Sequence, residues 1–386
     1  MLDSSTIRTR KLYYEDAYAT TFTARVVSAD AGDIVLDSTL FFPEEGGQSA
    51  DKGVLGGIRV ADVQIKKGEI HHLLADKNVT FTEGMEISGT IDWAHRFSNM
   101  QQHSGEHLFS GLVHSVYGLD NVGFHLSDKE VTLDFNGVIS PEGIRDIERR
   151  VNEIIYRNIP SEICFLSGEA ARKTEYRSKI DLEDDIRVVT FPGVDACACC
   201  APHVARTGEI GCLKVVGVQN YKGGIRVNIL CGSRAMEVFY HDRDILEKTA
   251  NYLSNSTDEV YHLVVKARTE LAETKAALRT ATQQLMQIKI DQIPEGDGNA
   301  VLFEQELDAG TMRNAVNSLV EKRNGYCGVF VGNDAAGYRY VIGKRGGDAR
   351  ELGNILKERF GARGGGRPEM VQGSVMACAA DIESLF

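Results

Sequence analysis

No run of apolar residues in this 386-residue chain approaches the length needed to cross a membrane. The stretch from Met1 to Lys11 lacks the basic-then-apolar profile of a secretory signal, so a cytoplasmic protein with no membrane partner is expected. A disulfide scaffold is excluded as well. Eight cysteines are few for so long a chain, and Cys197, Cys199 and Cys200 are too crowded to bridge one another readily. In a reducing compartment such a cluster points to metal or redox chemistry. Net positive charge is missing too, and a formal charge of -12 excludes broad nonspecific nucleic-acid binding, which depends on a strong positive field.

What is present begins with two histidine motifs. His103-Ser-Gly-Glu-His107 has the i, i+4 spacing that stacks two imidazoles on one face of a helix. Cys199-Cys-Ala-Pro-His203 repeats that interval with a cysteine in front. Imidazole nitrogen together with thiolate sulfur suits zinc, whereas calcium and magnesium want oxygen. His103, His107, Cys199 and His203 would complete a tetrahedral shell, and a rival shell could draw on the C-x-x-C pair Cys197 and Cys200. Four protein ligands are the usual mark of a structural ion, so a catalytic one requires a ligand to yield or a fifth position to open. Polar residues Gln101, Gln102, Ser104 and Glu106 crowd the first motif, and an apolar stripe begins at Leu108, Phe109 and Leu112. That break predicts a cavity at the N-terminal end of the helix.

Glu106 resembles the base of the metalloprotease motif, although here His107 follows it directly. On a helix the two side chains then diverge by about 100 degrees. Glu106 and Asp128, the latter on a loop after His125, are the candidate catalytic acids or bases.

The pattern along the chain is α+β, in four parts. Residues 1–90 carry short strand-like runs, Phe22–Val27, Asp33–Leu36 and Ile58–Val63, separated by Gly and Asp turns, and predict a small β-barrel. Inside it, Gly46 and Gly47 permit a close backbone approach to a ligand. Residues 91–240 predict an α+β domain with a largely antiparallel sheet. Its helices run from Arg96 to Tyr117 and from Pro141 to Asn158, the second capped by Ser140, and its strands include Val131–Phe135, Leu213–Val216 and Ile225–Leu230. Residues 241–293 predict a long helix or a helical hairpin acting as a spacer, free of Gly and Pro to Gln292, with Val264, Leu271, Leu278 and Leu285 at heptad intervals. Residues 294–386 predict an α/β domain with strands at Val329–Val331 and Tyr338–Ile342, a helix from Ala349 to Phe360 and a glycine-rich loop from Gly361 to Pro368. Cations gather there, from Lys344 to Arg367, despite the acidic total.

Several segments together resemble one family. Phe42-Pro-Glu-Glu-Gly-Gly-Gln48, Gln102-His-Ser-Gly-Glu-His-Leu108, Val122-Gly-Phe-His125 and the run from Cys199 to Gly211 are similar to the editing module of alanyl-tRNA synthetase and to its free-standing AlaX relatives. The tail from Gly364 to Gly373 resembles the C-terminal domain of that synthetase, which is shared with DHH phosphoesterases. The segments cover nearly the whole chain in family order and imply the long AlaX form.

This resemblance implies a zinc-dependent hydrolase. His103, His107, Cys199 and His203 would hold Zn2+, and the site would cut the ester joining serine, or glycine, to tRNA for alanine. Such near-isosteres of alanine escape a binding pocket, so a second hydrolytic sieve is needed. Thr39, Gly46, Gly47, Gln48 and Ser104 become candidate substrate contacts. Lys344, Arg345, Arg363, Gly364, Gly365, Gly366 and Arg367 become candidate tRNA contacts. A homodimer through the C-terminal region is expected, and because the chain begins directly at the barrel it is expected to lack an aminoacylation core. The synthetase pattern has Gly-Gly-Thr where this chain has Cys200-Ala-Pro202, and a glutamine where it has Asp128, so amino-acid preference is expected to be tuned at these two places. The alternatives are a noncatalytic zinc-stabilised tRNA-binding protein and a metalloenzyme for small esters, which has no use for a basic C-terminal domain.

Overall fold

The computed structural model describes residues 9–79, 81–128, 130–178 and 186–386. Their contacts separate into two units, Met1–Lys248 and Thr249–Phe386. No helix among the described residues is long and apolar enough to cross a membrane.

Alternating apolar and polar residues, punctuated by turn residues, give the first unit its strands. These are β1 (Arg10–Lys11), β2 (Thr21–Asp30), β3 (Asp33–Leu36), β4 (Ser38–Thr39), β5 (Gly53–Leu55), β6 (Ile58–Lys66), β7 (Glu69–Leu74) and β8 (Glu86–Ile91). Six of them close an antiparallel barrel in the order β2-β3-β7-β6-β5-β8, as the strand pattern predicts. Val26, Val60, Val63, Ile70, Leu74, Ile87 and Ile91 pack its core with Phe41 and Phe42 from the loop that follows β4.

The next element, α1 (Trp93–Tyr117), starts where the Asp92 carboxylate accepts from the His95 N–H and stops at Gly118, which takes the left-handed conformation. It is a central helix, buried on every side from Asn99 to Gly111. Around it lie β9 (Asn121–Leu126), β10 (Val131–Phe135), α2 (Pro141–Arg157), β11 (Glu162–Leu166), α3 (Gly168–Lys173), β12 (Ile186–Phe191), β13 (Asp195–Ala198), β14 (Leu213–Tyr221) and β15 (Gly224–Cys231). The strands form two antiparallel sheets, β14-β15-β10-β9 and β11-β12-β13. The Ser140 hydroxyl caps α2 at 3.1 Å from the Gly143 nitrogen, and the helix buries Ile144, Ile147, Val151, Ile154 and Ile155 in the shared core.

Where a cavity is expected beside α1, the helix is buried from Asn99 to Gly111, and the polar side chains of Gln101 and Gln102 are bonded to neighbouring backbone. Gln102 pairs with Cys231 through both amide atoms, at 2.8 and 2.7 Å, and Gln101 donates to the Glu209 carbonyl at 2.8 Å. Left unpaired, each such group would cost about 1–3 kcal/mol.

The stretch read as a helical spacer is divided into α4 (Gly232–Tyr252) and α5 (Val260–Asp291). The break falls at Leu253-Ser-Asn-Ser-Thr-Asp258, where Ser254 has φ 54 and the Asn255 side chain bonds the Ser256 N–H. On α5, Val264, Leu271, Leu278 and Leu285 are 49%, 54%, 67% and 56% exposed.

The second unit continues with β16 (Ala300–Glu304), α6 (Ala309–Lys322), β17 (Tyr326–Asn333), β18 (Gly337–Lys344), α7 (Arg350–Phe360), β19 (Arg363–Arg367), β20 (Met370–Val375) and α8 (Ala379–Glu383). The sheet order is β16-β17-β18-β20-β19, with β16 and β17 parallel through α6 and the other pairs antiparallel. Cys327, Val329 and Val331 pack with α6 and the end of α5, while Phe330 packs with α7 and α8 on the other face. The glycine-rich segment is not the loop its composition suggests but the edge strand β19, paired with β20 from Arg363↔Ser374 to Arg367↔Met370. A side chain at Gly364 would begin 2.3 Å from the Gln372 carbonyl oxygen, so bare backbone is what fits.

Candidate metal centre

Two elements supply the cluster. α1 carries His103 and His107, one turn apart, and the loop leaving β13 carries Cys199 and His203. One ligand atom from each of these four residues lies within 4.8 Å of all the others. The three histidines are buried, and Cys199 is half-buried.

Each imidazole has its Nδ1 turned outward to a different neighbour. His103 Nδ1 is 2.8 Å from Gln48 Oε1, and His203 Nδ1 is 3.0 Å from the Ser104 hydroxyl. His107 Nδ1 lies 3.1 Å from Asp195 Oδ2, an ion-pair contact out of line for a hydrogen bond. Outward Nδ1 atoms leave the Nε2 atoms for the centre, and Cys199 Sγ is 3.5 Å from His103 Nε2 and 3.2 Å from His203 Nε2. Outer partners of this kind fix the ring orientation and raise the basicity of a ligating histidine.

The electrostatics match the geometry. Burial alone would raise the Cys199 thiol, but His103 and His203 outweigh it and hold the thiol well below its ordinary range. Burial would likewise lower His107, yet Asp195 and Cys199 raise it well above its usual value. Metal uptake at such a set has to release protons. Against burial, His107 and Arg177 draw Asp195 down to about 2. By contrast, burial pushes the Cys197 thiol up to about 11 and raises Cys200 further. Three imidazoles and one readily ionised thiol form a donor set that fits zinc.

A second grouping, His107, Asp195 and Cys197, shares His107. Arg177 grips Asp195 through two bonds, at 2.6 and 2.9 Å, so a fixed cation already serves that carboxylate.

The Gly46-Gly47-Gln48 turn comes from the barrel side. Gly46 and Gly47 both have positive φ, 62 and 83, and a side chain at Gly47 would start 2.4 Å from the Phe124 carbonyl oxygen. Only glycine lets the turn lie flat on β9 and deliver Gln48 to His103. The Gln48 Nε2 is buried and has no partner among the described residues.

The other expected site residues fall in different places. Ser104 is buried and accepts from the Val204 N–H at 3.2 Å while it meets His203, so it orients a histidine. Glu106 comes closer than helix geometry suggests, with Oε2 at 3.8 Å from His107 Nε2. Its Oε1 accepts from the Ser110 hydroxyl at 2.8 Å and from the Asn121 amide at 2.6 Å. Thr39 belongs to the barrel interior. His72 Nδ1 donates to the Ile34 carbonyl at 3.0 Å, so its Nε2 accepts from the Thr39 hydroxyl at 2.8 Å. Thr39 Oγ also accepts from the Phe41 N–H at 3.0 Å, which leaves one lone pair for a further donor. Asp128 is outside the cluster, ion-paired to Lys52 on the surface, and that contact holds its carboxyl below the ordinary range. A carboxylate so stabilised is a weak base.

Asp195, Arg177, Asn121 and Ser110 were not legible from the motifs. Ser110 follows Glu106 by one helical turn and could have been found by that spacing, but the others come from separate strands and loops. On the second unit, Arg363 and the three glycines to Gly366 lie with Arg367 on the exposed edge strand, and Lys344 and Arg345 at and beyond the end of β18. Lys344 stacks on the Tyr326 ring at 4.1 Å, and Arg345 donates to the Glu321 carbonyl at 3.3 Å.

Two family models match this chain. "tRNA synthetases class II (A)" covers residues 7–95, and "Threonyl and Alanyl tRNA synthetase second additional domain" covers residues 186–228. Alanyl-tRNA editing protein AlaX-L of Pyrococcus horikoshii is 28% identical over 400 residues, spanning 96% of this chain and 96% of that protein. Alanine--tRNA ligases of Methanoregula boonei and Pyrobaculum calidifontis are 30% and 31% identical over 95% and 98% of this chain. The chain spans only 41% and 43% of the length of those two ligases. A solved structure, the C-Ala domain from Aquifex aeolicus alanyl-tRNA synthetase, aligns with 24% of this chain and 94% of that one at 21% identity, with a TM-score of 0.20 that carries no structural weight.

Proposed function

Because this chain is a relative of the AlaX-type alanyl-tRNA editing proteins along 96% of its residues, we propose that it is a zinc-dependent deacylase that removes serine, or glycine, from mischarged tRNA for alanine. The observation that carries this is the convergence of three outward-anchored imidazoles and a readily ionised cysteine on one point. His103, His107, Cys199 and His203 would hold Zn2+. When bound there, zinc supplies positive charge for the ester carbonyl or the substrate amine.

The chain's own groups do the rest. The open Gln48 Nε2 donates to a substrate oxygen, since a buried amide without a partner is otherwise a cost. The free lone pair of Thr39 accepts from a serine hydroxyl, which alanine cannot offer, and that asymmetry spares correctly charged tRNA. Glu106, buried beside His107, is the carboxylate placed to take a proton. On the second unit, Arg363, Arg367, Lys344 and Arg345 meet phosphates while the backbone of Gly364, Gly365 and Gly366 allows close approach. The exposed heptad residues of α5 support a homodimer through this region.

The four-ligand set also favours one other function, a noncatalytic zinc-stabilised tRNA-binding protein. Incubation with seryl-, glycyl- and alanyl-tRNA for alanine separates the two. Release of serine or glycine but not alanine, abolished by His103→Ala, is the expected result. Release at the spontaneous rate by a zinc-loaded protein would reject the deacylase.

A further inference from the structure

Phe165, Arg187 and Cys199 occupy one cross-strand row of the β11-β12-β13 sheet. Phe165 is the register partner of Arg187, and the Cys199 N–H bonds the Arg187 carbonyl at 3.0 Å, continuing the register of β12 with β13. Register partners face the same side of a sheet, so the row runs about 10 Å over two strand spacings, from solvent to the histidine cluster. Phe165 is its outer end and is 57% exposed. Tyr14 leans over the row, edge-on to Phe165 at 5.8 Å, with the Arg187 guanidinium 5.0 Å and the Lys11 ammonium 5.2 Å from its ring.

The inner part of this row has open polar groups. Arg187 Nη1 donates to the Cys199 and Ala201 carbonyls at 2.7 and 2.9 Å, whereas its buried Nε has no partner among the described residues. The buried hydroxyl of Tyr13, whose ring meets Tyr14 at 4.8 Å, is equally unpaired. Buried donors left open are costly and rare unless something fills them. Aromatic faces interleaved with cations are the chemistry that holds unpaired nucleotides, by stacking and by charge. The Lys11 ammonium beside the aromatic pair suits a phosphate next to a stacked base better than an apolar protein surface.

We propose that Tyr14, Phe165, Lys11 and Arg187 form a subsite for the unpaired 3′-terminal nucleotides of the RNA whose ester reaches the histidine cluster. A terminal base stacks on Phe165, Lys11 meets a phosphate, and Arg187 ties the stack to the loop that carries Cys199. This subsite rests on the deacylase function proposed above and gives it an orientation for the acceptor end.

The test uses the full chain with Phe165→Ala and Phe165→Trp. With whichever aminoacyl-tRNA the wild type hydrolyses, Phe165→Ala should raise KM about 5- to 150-fold, the worth of one stacked base, and leave kcat within about twofold. Phe165→Trp should restore KM. Trp93 is the single native tryptophan, so the new indole also reports binding without hydrolysis, against wild type as the control. Uncharged tRNA ending in CCA should quench it, and the same tRNA lacking its terminal adenosine should not. Equal quenching by the two RNAs, or none by either, overturns the subsite. A wild type that hydrolyses no aminoacyl-tRNA overturns the deacylase alone, because the quenching result still decides the subsite. An active wild type matched in KM by Phe165→Ala overturns the subsite alone.

Discussion

The guanidinium of Arg96 and the carboxylate of Asp51 meet where neither reaches solvent, with Arg96 Nε at 2.9 and 3.0 Å from the two carboxylate oxygens. Arg96 also donates to the carbonyls of Leu40 and Ala17, and Asp51 accepts from the Phe42 N–H. Together they lock the first turns of α1 to the barrel. Removing one partner leaves the other buried and uncompensated, which costs about 3–5 kcal/mol. Asp51→Asn should therefore shift a urea unfolding midpoint strongly downward, and the paired change Asp51→Leu with Arg96→Met should recover part of that loss. A single variant within about 1 kcal/mol of wild type would show the pair is not structural.

The three clustered thiols should separate cleanly in metal binding. Cobalt in place of zinc gives a near-ultraviolet sulfur-to-metal charge-transfer band only when a thiolate ligates it. Cys199→Ser should abolish that band, while Cys197→Ser and Cys200→Ser should retain it, because burial keeps those two thiols protonated and His103 and His203 keep Cys199 ionised. Loss of the band in Cys200→Ser instead would identify the rival shell.

His72 should make the barrel sensitive to acid. Burial holds its pKa at about 4, below the ordinary 6.5, so it is neutral in the folded state. Between those values the unfolded chain binds the extra proton, so stability is complete above pH 6.5 and falls as pH drops toward 4. The full loss is about 3 kcal/mol on the scale of 1.36 kcal/mol per unit. His72→Gln should be less stable at pH 7, where it loses the Ile34 and Thr39 bonds, but its stability should fall less between pH 7 and pH 4.5. Parallel pH curves for the two proteins would count against this role for His72.

Arg363 and Arg367, at the two ends of the glycine strand, should each contribute one phosphate contact. Losing a contact lowers the slope of log affinity against log salt by about 1, so the double alanine variant should lower it by about 2 for tRNA. Filter binding at several salt concentrations measures this, and an unchanged slope would take the edge strand out of the RNA interface.

Much of this architecture is legible where the code is local. The interval from His103 to His107 is one helical turn, and the apolar positions of α2 repeat on one face, so neither needs tertiary information. The break after Tyr252 is harder, since no Gly or Pro marks it, though the Ser, Asn, Thr and Asp cluster that follows is a turn signal. β19 is illegible for a different reason. Glycine disfavours strands by itself, and only the close approach of β20 makes bare backbone the residue of choice. Asp195 and Arg177 behind His107 cannot be read at all from spacing, because their bond joins segments 18 residues apart that meet only through sheet pairing.

The Gly46-Gly47-Gln48 turn has a consequence for how the chain can be divided. Gln48 holds His103, and Asp51 three residues later neutralises Arg96, so the orientation of the first histidine and the seating of its helix are both supplied from before residue 90. A fragment starting at residue 91 would keep all four candidate ligands and lose the groups that aim them. Its metal content would say little about the intact site, and adding the barrel back as a separate polypeptide would be the more informative reconstitution.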